Sequence, residues 1–178
     1  MLFRSQGTRS RGELPSTFLT GELNIEAFLA TLRSQRQAYS GFNLLLGDGQ
    51  QLCHFNSRSG LTTVLEEGVH GISNADLNTP WPKLQRAKQA LHACLPDPQP
   101  EALLRLLSDN RQAADEHLPD TGIGLPSERL LSSVFIASPV YGTRASTALI
   151  MASHGSWQMV ERSFGSNGSC LGEVELHS

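Results

Sequence analysis

Apolar residues recur at helical spacing near the start of the chain and predict two helices. Ser10 and Glu13 have the spacing of a capping box, in which each side chain bonds a free backbone N–H, so the first helix is expected over residues 11–20. Asn24 is expected to cap the second helix, which should end at Gly41. The apolar stripe of that helix comprises Ile25, Phe28, Leu29 and Leu32.

From residue 42 the pattern changes to that of strands. Short apolar runs at 42–46 and 51–55 flank Asp48-Gly49, a strong tight-turn sequence, and predict a hairpin. A second hairpin is expected from 62–65 and 69–73. These four strands are predicted to form a meander.

The second half of the chain is predicted to begin with helices and end with strands. Three helices are expected, at residues 82–95, 100–107 and 128–131. A polar stretch with two prolines, residues 108–126, predicts an irregular connection. Four strands follow, at residues 134–136, 147–151, 157–161 and 172–177. The run at 147–151 is almost wholly apolar, which predicts burial on both faces. Helices, a sheet, helices and further strands together predict a layered α+β domain.

Composition limits the class of protein. The sequence has 178 residues, of which 39% are hydrophobic and 17% charged, with a net charge of −3. This fits one soluble domain, so a single domain is predicted over residues 1–178, with residues 1–9 as a disordered or extended leader. The chain has no cluster of Lys and Arg, which argues against a nucleic-acid partner. No apolar run approaches the ~18 residues of a membrane helix.

Cysteine usage predicts a reducing compartment. Cys53, Cys94 and Cys170 are odd in number and form no Cys-x-x-Cys pair, so neither a disulfide framework nor a metal site is expected. The chain is therefore predicted to be cytoplasmic. His54 and His70 fit no metal-ligand spacing, and structural roles are the simpler expectation for both.

Two clusters combine residue types that can act on a substrate. The first runs from Gly71-Ile72-Ser73-Asn74 to Thr79-Pro80-Trp81-Pro82-Lys83, and the second is Tyr141-Gly142-Thr143-Arg144. An Asn carboxamide can donate to a developing oxyanion, and an Arg can hold a carboxylate or lower the pKa of a nucleophile. The same residues are equally compatible with turns and the rim of a fold. The residues alone leave both alternatives open.

Seven ordered blocks resemble the NRDE family, also called the Transport and Golgi organization two family. The blocks are Ser10-Arg11-Gly12-Glu13-Leu14, Tyr39-x-Gly41-Phe42-Asn43-Leu44-Leu45, Gly71-Ile72-Ser73-Asn74, Thr79-Pro80-Trp81-Pro82-Lys83, Leu118-Pro119-Asp120-Thr121-Gly122, Tyr141-Gly142-Thr143-Arg144 and Glu161-Arg162-x-Phe164. That family is similar to N-terminal-nucleophile hydrolases, with relatives among the penicillin V acylases and bile salt hydrolases. The resemblance implies a four-layer αββα fold, incomplete at its N-terminus.

The resemblance also implies a site for amide (C–N) hydrolysis. Asn74 would line an oxyanion hole and Arg144 would lie near the nucleophile, while Ser73, Trp81 and Tyr141 would border the substrate pocket. Family members begin Met-Cys, with the Cys as nucleophile, and carry an Asn-Arg-Asp-Glu signature soon afterwards. This sequence has neither feature. The expectation is an N-terminally truncated member that is inactive as it stands.

Two further expectations follow from the resemblance. Eukaryotic relatives are linked to haem and to acyl-CoA or lipid handling, so a non-catalytic carrier is the alternative function, with His54 or His70 as the candidate haem ligand. No other cofactor is expected. Strands missing from the start would also leave a sheet edge unpaired, which predicts self-association.

Overall fold

A computed structural model describes residues 7–178. These residues fold into two compact units. The first unit comprises the chain up to Gly68 together with Ile72–Leu77, and the second comprises Val69–Gly71 and Asn78–Ser178. Residues 1–6 of the expected leader lie outside the described residues, and Arg9 forms an isolated parallel bridge with Tyr39.

The first unit contains two helices and one antiparallel sheet. The helices are α1 (Glu13–Thr20) and α2 (Ile25–Gln35), the latter followed by a 3₁₀ turn at Arg36–Ala38. Three strands pair in the order β1-β2-β3: β1 (Asn43–Gly47), β2 (Leu52–Asn56) and β3 (Thr62–Val64). The Asp48 carboxylate accepts backbone hydrogen bonds from the two residues before β2 and so fixes the β1–β2 turn.

The helices of the first unit pack their apolar side chains against one face of the sheet. Phe55 on β2 is fully buried, and its neighbours in the core include Leu46 and Cys53 from the strands and Phe28 and Leu32 from α2. The opposite face carries Asn43, His54 and Asn56, because side chains alternate along a strand. That alternation separates an apolar core from a polar cluster.

Three expectations for the first unit are corrected. The helix α1 begins at Glu13 and has no side-chain cap bond, because the Glu13 carboxylate accepts from the Tyr39 hydroxyl and pairs with Arg9. The capping box is therefore wrong. The second helix is capped by Asn24 as predicted, yet it ends well before Gly41.

No fourth strand joins the meander among the described residues. Residues 69–73 form no ladder, and the chain instead makes a single antiparallel bridge between Ile72 and Leu77. The Asn43 side chain donates hydrogen bonds to the carbonyls of Ser73 and Ala75, and these replace bonds from a neighbouring strand.

The second unit places its helices before an antiparallel sheet. The helices are α3 (Pro82–Cys94), α4 (Pro100–Leu107) and α5 (Leu125–Leu131). The strands pair in the order β4-β5-β6: β4 (Ala145–Met151), β5 (Trp157–Phe164) and β6 (Cys170–His177). Two short 3₁₀ turns lie at Asp115–His117 and Ser166–Gly168. Leu104 of α4 packs with Ala148 and Val160 of the sheet.

Two strand expectations in the second unit are wrong. Residues 134–136 form no strand, since Phe135 donates to the Asp109 carbonyl and Ile136 donates to the Thr143 hydroxyl. The strand at 147–151 is buried on one face alone. Ala148 is 4% exposed, whereas Leu149 and Met151 are 53% and 71% exposed.

The mixed α+β class is confirmed by these elements. Each unit has one three-stranded antiparallel sheet with helices packed on it. The finer αββα layering, the similarity to N-terminal-nucleophile hydrolases and the single-domain assignment stay predictions. Within the described part of the chain, no helix combines the length and apolarity needed to cross a bilayer.

Candidate functional site

Three polar side chains form a hydrogen-bond network on the face of the first sheet opposite its apolar core. The Asn43 carboxamide donates from Nδ2 to the carbonyls of Ser73 (3.2 Å) and Ala75 (3.0 Å). Its Oδ1 lies 2.9 Å from His54 Nε2 and accepts from Asn56 Nδ2 at 3.2 Å. Because two carbonyls fix which end of the carboxamide donates, Asn43 Oδ1 must accept, and His54 must donate through Nε2. Two of these four bonds connect the sheet to the 72–77 loop, and the other two hold Asn43 in place from β2.

Asn74 lies on this anchored loop. The carbonyls on either side of it, at Ser73 and Ala75, are both held by Asn43. The Asn74 side chain is exposed, and it makes no hydrogen bond to any described residue. A carboxamide on a fixed backbone with its own donor uncommitted suits a hydrogen bond to a ligand or an oxyanion.

His54 is a buried neutral histidine. It is 2% exposed, and burial lowers its pKa, with the Asp76 carboxylate opposing that shift. Its Nδ1 lies 3.9 Å from Asp76 Oδ1. Because Nε2 is committed to Asn43, only Nδ1 has a lone pair, and it is enclosed. The geometry therefore gives His54 a structural role and does not favour it as a haem ligand. The Nδ1 atom of His70, in the second unit, lies 3.2 Å from the Asn78 amide.

In the second unit, the Tyr141-Gly142-Thr143 block forms a tightly bonded loop. Ser138 Oγ donates to the Tyr141 carbonyl and accepts from its N–H, while Thr143 exchanges bonds with the Ile136 backbone. A Cβ on Gly142 would lie 2.8 Å from the Ile136 carbonyl oxygen, so only glycine allows this approach. The Tyr141 side chain is 48% exposed.

Arg144 follows this loop, immediately before β4. Its carbonyl accepts from the Phe164 N–H, which fixes its backbone beside β5. The Arg144 side chain is exposed and forms no ion pair or hydrogen bond with any residue that the structure describes. An uncommitted guanidinium on a fixed backbone can hold an anionic group.

Trp81 belongs to a structural cluster of the second unit. Lys83 Nζ lies 5.6 Å from the centre of the Trp81 ring and donates to the Leu131 carbonyl at 2.7 Å. Burial lowers the pKa of Lys83, and the Glu128 carboxylate opposes this shift. Glu128 is 6% exposed and accepts from the Thr121 N–H and hydroxyl. Two of the sequence blocks therefore meet in one buried polar cluster that ties α3 to α5.

The three cysteines do not form a reactive centre. Cys53 is 4% exposed in the core of the first unit, where burial raises the pKa of its thiol. Cys94 is half-buried and Cys170 is exposed, and both belong to the second unit. Among residues 7–178 no group of three His, Cys, Asp or Glu side chains has the arrangement of a metal site.

The residues that the sequence singled out belong to both units. Ser73 and Asn74 lie in the first unit, whereas Trp81, Tyr141 and Arg144 lie in the second. Sequence reasoning missed the Asn43–His54–Asn56 network, although Asn43 stands in a recognised block. The alternation of β1 and β2 was the available signal. Glu128 gave no signal, because a polar residue on a short helix is usually solvated.

The helices, the two sheets and the Asn74 loop held by Asn43 define a mixed helix and sheet protein. A family model described as Transport and Golgi organisation 2 matches residues 3–166. The Transport and Golgi organization protein 2 homolog of Bos taurus is 31% identical, over 97% of this chain and 68% of the bovine protein. The Homo sapiens homolog is 32% identical, over 87% of this chain and 62% of its own length. The chain belongs to the Transport and Golgi organisation 2 family.

The match covers only part of each relative. The chain spans 68% of the bovine protein and 62% of the human and Mus musculus proteins, the latter 29% identical to it. We therefore treat the activity, substrates and partners of the whole protein as proposals.

Proposed function

We propose that this chain carries the charge-stabilising side chains of an amide-hydrolase-like site without its nucleophile. The observation that carries the proposal is the Asn74 loop. Its backbone is held by Asn43 through two hydrogen bonds, while the Asn74 carboxamide is exposed and unbonded within the described residues. Donors that are fixed before charge develops are the usual means of stabilising an oxyanion.

Arg144 supports the proposal from the second unit. Its guanidinium is exposed and has no carboxylate partner in the part of the chain that the structure describes. By contrast, Arg162, Arg129 and Arg86 are each paired with an acidic side chain. An Arg held on a fixed backbone with its charge unbalanced suits a ligand carboxylate or a developing anion.

The proposed inactivity rests on the chemistry of the cysteines. An N-terminal-nucleophile Cys uses its own α-amine as the base. Cys53, Cys94 and Cys170 lie within the sequence, so their nitrogen atoms are amides and cannot serve as that base. Cys53 is moreover buried, with a raised thiol pKa. The chain by itself should therefore bind acyl amides without hydrolysing them.

Binding and turnover assays on a panel of acyl amides and acyl-homoserine lactones test this proposal. We expect no hydrolysis, with binding that weakens about tenfold in Asn74→Ala, since an uncompensated hydrogen bond to a ligand costs ~1 kcal/mol or more. Gln50→Ala is the matched control, because Gln50 is an exposed carboxamide of the same unit. Hydrolysis that disappears in Asn74→Ala would refute the inactivity, and equal binding by Asn74→Ala and Gln50→Ala would refute the role of Asn74.

The same assays apply to Arg144. Arg144→Ala should weaken the binding of ligands that carry a carboxylate and leave neutral amides unaffected. Arg105→Ala is its control, as Arg105 is an exposed arginine on α4. A cytoplasmic location and self-association through a sheet edge stay part of the proposal, the latter to be measured by sedimentation.

A further inference from the structure

A cavity of about 320 Å³ lies in the second unit beside α4 and the β4–β5 pair. Leu104 of α4, Ser146 of β4 and Phe164 of β5 line it, together with Phe135 and Asn167 from the flanking segments. Ligand pockets in proteins begin at roughly this size, about 300 Å³, so the cavity suits a small molecule. It contains none of the residues considered above for amide hydrolysis.

One wall of the cavity is apolar and largely aromatic. The rings of Phe135 and Phe164 meet edge to face with centroids 4.8 Å apart, and Leu104 is only 3% exposed. Gly168 allows this wall to form, because a Cβ there would lie 2.7 Å from the Phe135 ring and its φ is +72°. The wall offers an aromatic or alicyclic ring two aromatic partners.

Three polar side chains of the cavity lining have no partner among the described residues. The Ser146 hydroxyl and the carboxamides of Asn110 and Asn167 make no hydrogen bond to another described residue. Ser146 is 8% exposed, so its hydroxyl opens onto the cavity and little else. Asn167 has a left-handed backbone, with φ of 55°, which turns the chain at the cavity wall. These groups can each donate and accept a hydrogen bond.

The positive charge that lines the cavity is fully paired. Arg162, which also lines it, donates to Glu173 Oε2 and Glu101 Oε2. Two carboxylates thus face one guanidinium, and these pairings raise the pKa of Arg162. The lining residues therefore offer no uncompensated positive charge to a phosphate or carboxylate, so an anionic ligand would gain little and lose its hydration.

We propose that this cavity binds a small neutral ligand in which a flat apolar ring carries a carboxamide, or another adjacent donor and acceptor. The ring packs on Phe135 and Phe164. The amide N–H and carbonyl exchange hydrogen bonds with Ser146 and Asn167, whose side chains supply both a donor and an acceptor. This site does not depend on Asn74 or Arg144, and its ligand differs from a phosphate-bearing acyl-CoA.

Benzamide and benzoate form the probe pair, because they share a ring and differ in charge. In ¹⁵N heteronuclear NMR titrations of the whole chain, benzamide should give saturable shifts centred on Ser146, Phe135 and Asn167. Benzoate should bind at least about tenfold more weakly. Tighter or equal binding of benzoate, shifts elsewhere on the molecule, or no saturable shift at millimolar benzamide would each overturn the proposal.

Asn167→Gly is the most informative variant. Glycine adopts a positive φ without strain, so the variant keeps the backbone and loses only the carboxamide. We expect benzamide affinity to fall about fivefold to tenfold while the midpoint of thermal unfolding holds or rises. Ser146→Ala should weaken binding similarly, and Ser127→Ala, a serine of α5 outside the cavity, should not. Unchanged affinity in Asn167→Gly and Ser146→Ala would overturn the assigned contacts.

Discussion

Replacing Asn43 with alanine should destabilise the first unit strongly. The substitution removes four hydrogen bonds, two to loop carbonyls and two from the side chains of His54 and Asn56. His54 is 2% exposed, so its Nε2 donor would be left buried without an acceptor, and the carboxamide of Asn56, 4% exposed, would keep only a 3.5 Å bond to the Ala75 carbonyl. Each such orphaned group costs ~1–3 kcal/mol, and partial relaxation should leave a net loss of about 3 kcal/mol.

Urea unfolding followed by far-UV circular dichroism measures this loss. Gln50→Ala serves as the control, because exposed substitutions stay within about 0.5 kcal/mol. A double-mutant cycle with Asn56→Ala isolates the direct bond, for which a coupling of at least ~0.5 kcal/mol is expected. A loss below ~1 kcal/mol for Asn43→Ala, or strict additivity in the cycle, would refute the proposed network.

Three further predictions concern His54 and Gly142. Because the pKa of His54 is lowered in the folded chain, the unfolded chain binds a proton at His54 more readily. The free energy of unfolding should therefore decrease as the pH is lowered from about 7 to about 5. Urea unfolding curves should show a weaker pH dependence in His54→Gln. Gly142→Ala should destabilise the second unit by ~1–3 kcal/mol, because its Cβ would lie 2.8 Å from the Ile136 oxygen; unchanged thermal unfolding would refute this clash. We expect titration with micromolar haem to give the same Soret band for the original chain and for His54→Gln. The reason is that His54 is buried and its Nε2 is hydrogen-bonded to Asn43.

Local signals predicted where three of the helices begin. The Asn24 cap, and the prolines at the first positions of α3 and α4, act within one turn of chain, so the sequence alone specifies where these helices begin. The strand expected at 69–73 failed for a tertiary reason. Its backbone groups find side-chain partners, Asn43 among them, in place of a neighbouring strand.

Burial was harder to predict than secondary structure. The apolar run of β4 suggested burial on both faces, yet α4 covers only the face that carries Ala148. Periodicity identifies a strand, but what packs against each face depends on elements far along the chain. The exposed Leu149 and Met151 follow from that arrangement.

The candidate site was predictable only in part. Residue types singled out Asn74 and Arg144, the resemblance gave them roles, and the structure adds that each has an anchored backbone and an uncommitted side chain. The residues that hold the Asn74 loop were not foreseen, because only the β1–β2 register places Asn43 opposite Asn56 and diagonal to His54. Register depends on the whole hairpin and its turn.

Intact-mass spectrometry after incubation with an acyl amide tests the central claim most directly. We predict that the chain remains unmodified, since no cysteine in it has the α-amine that the chemistry requires. Asn74→Ala should give the same unmodified mass. An acyl adduct on Cys53, Cys94 or Cys170 that forms in the original chain and is lost in Asn74→Ala would contradict the account.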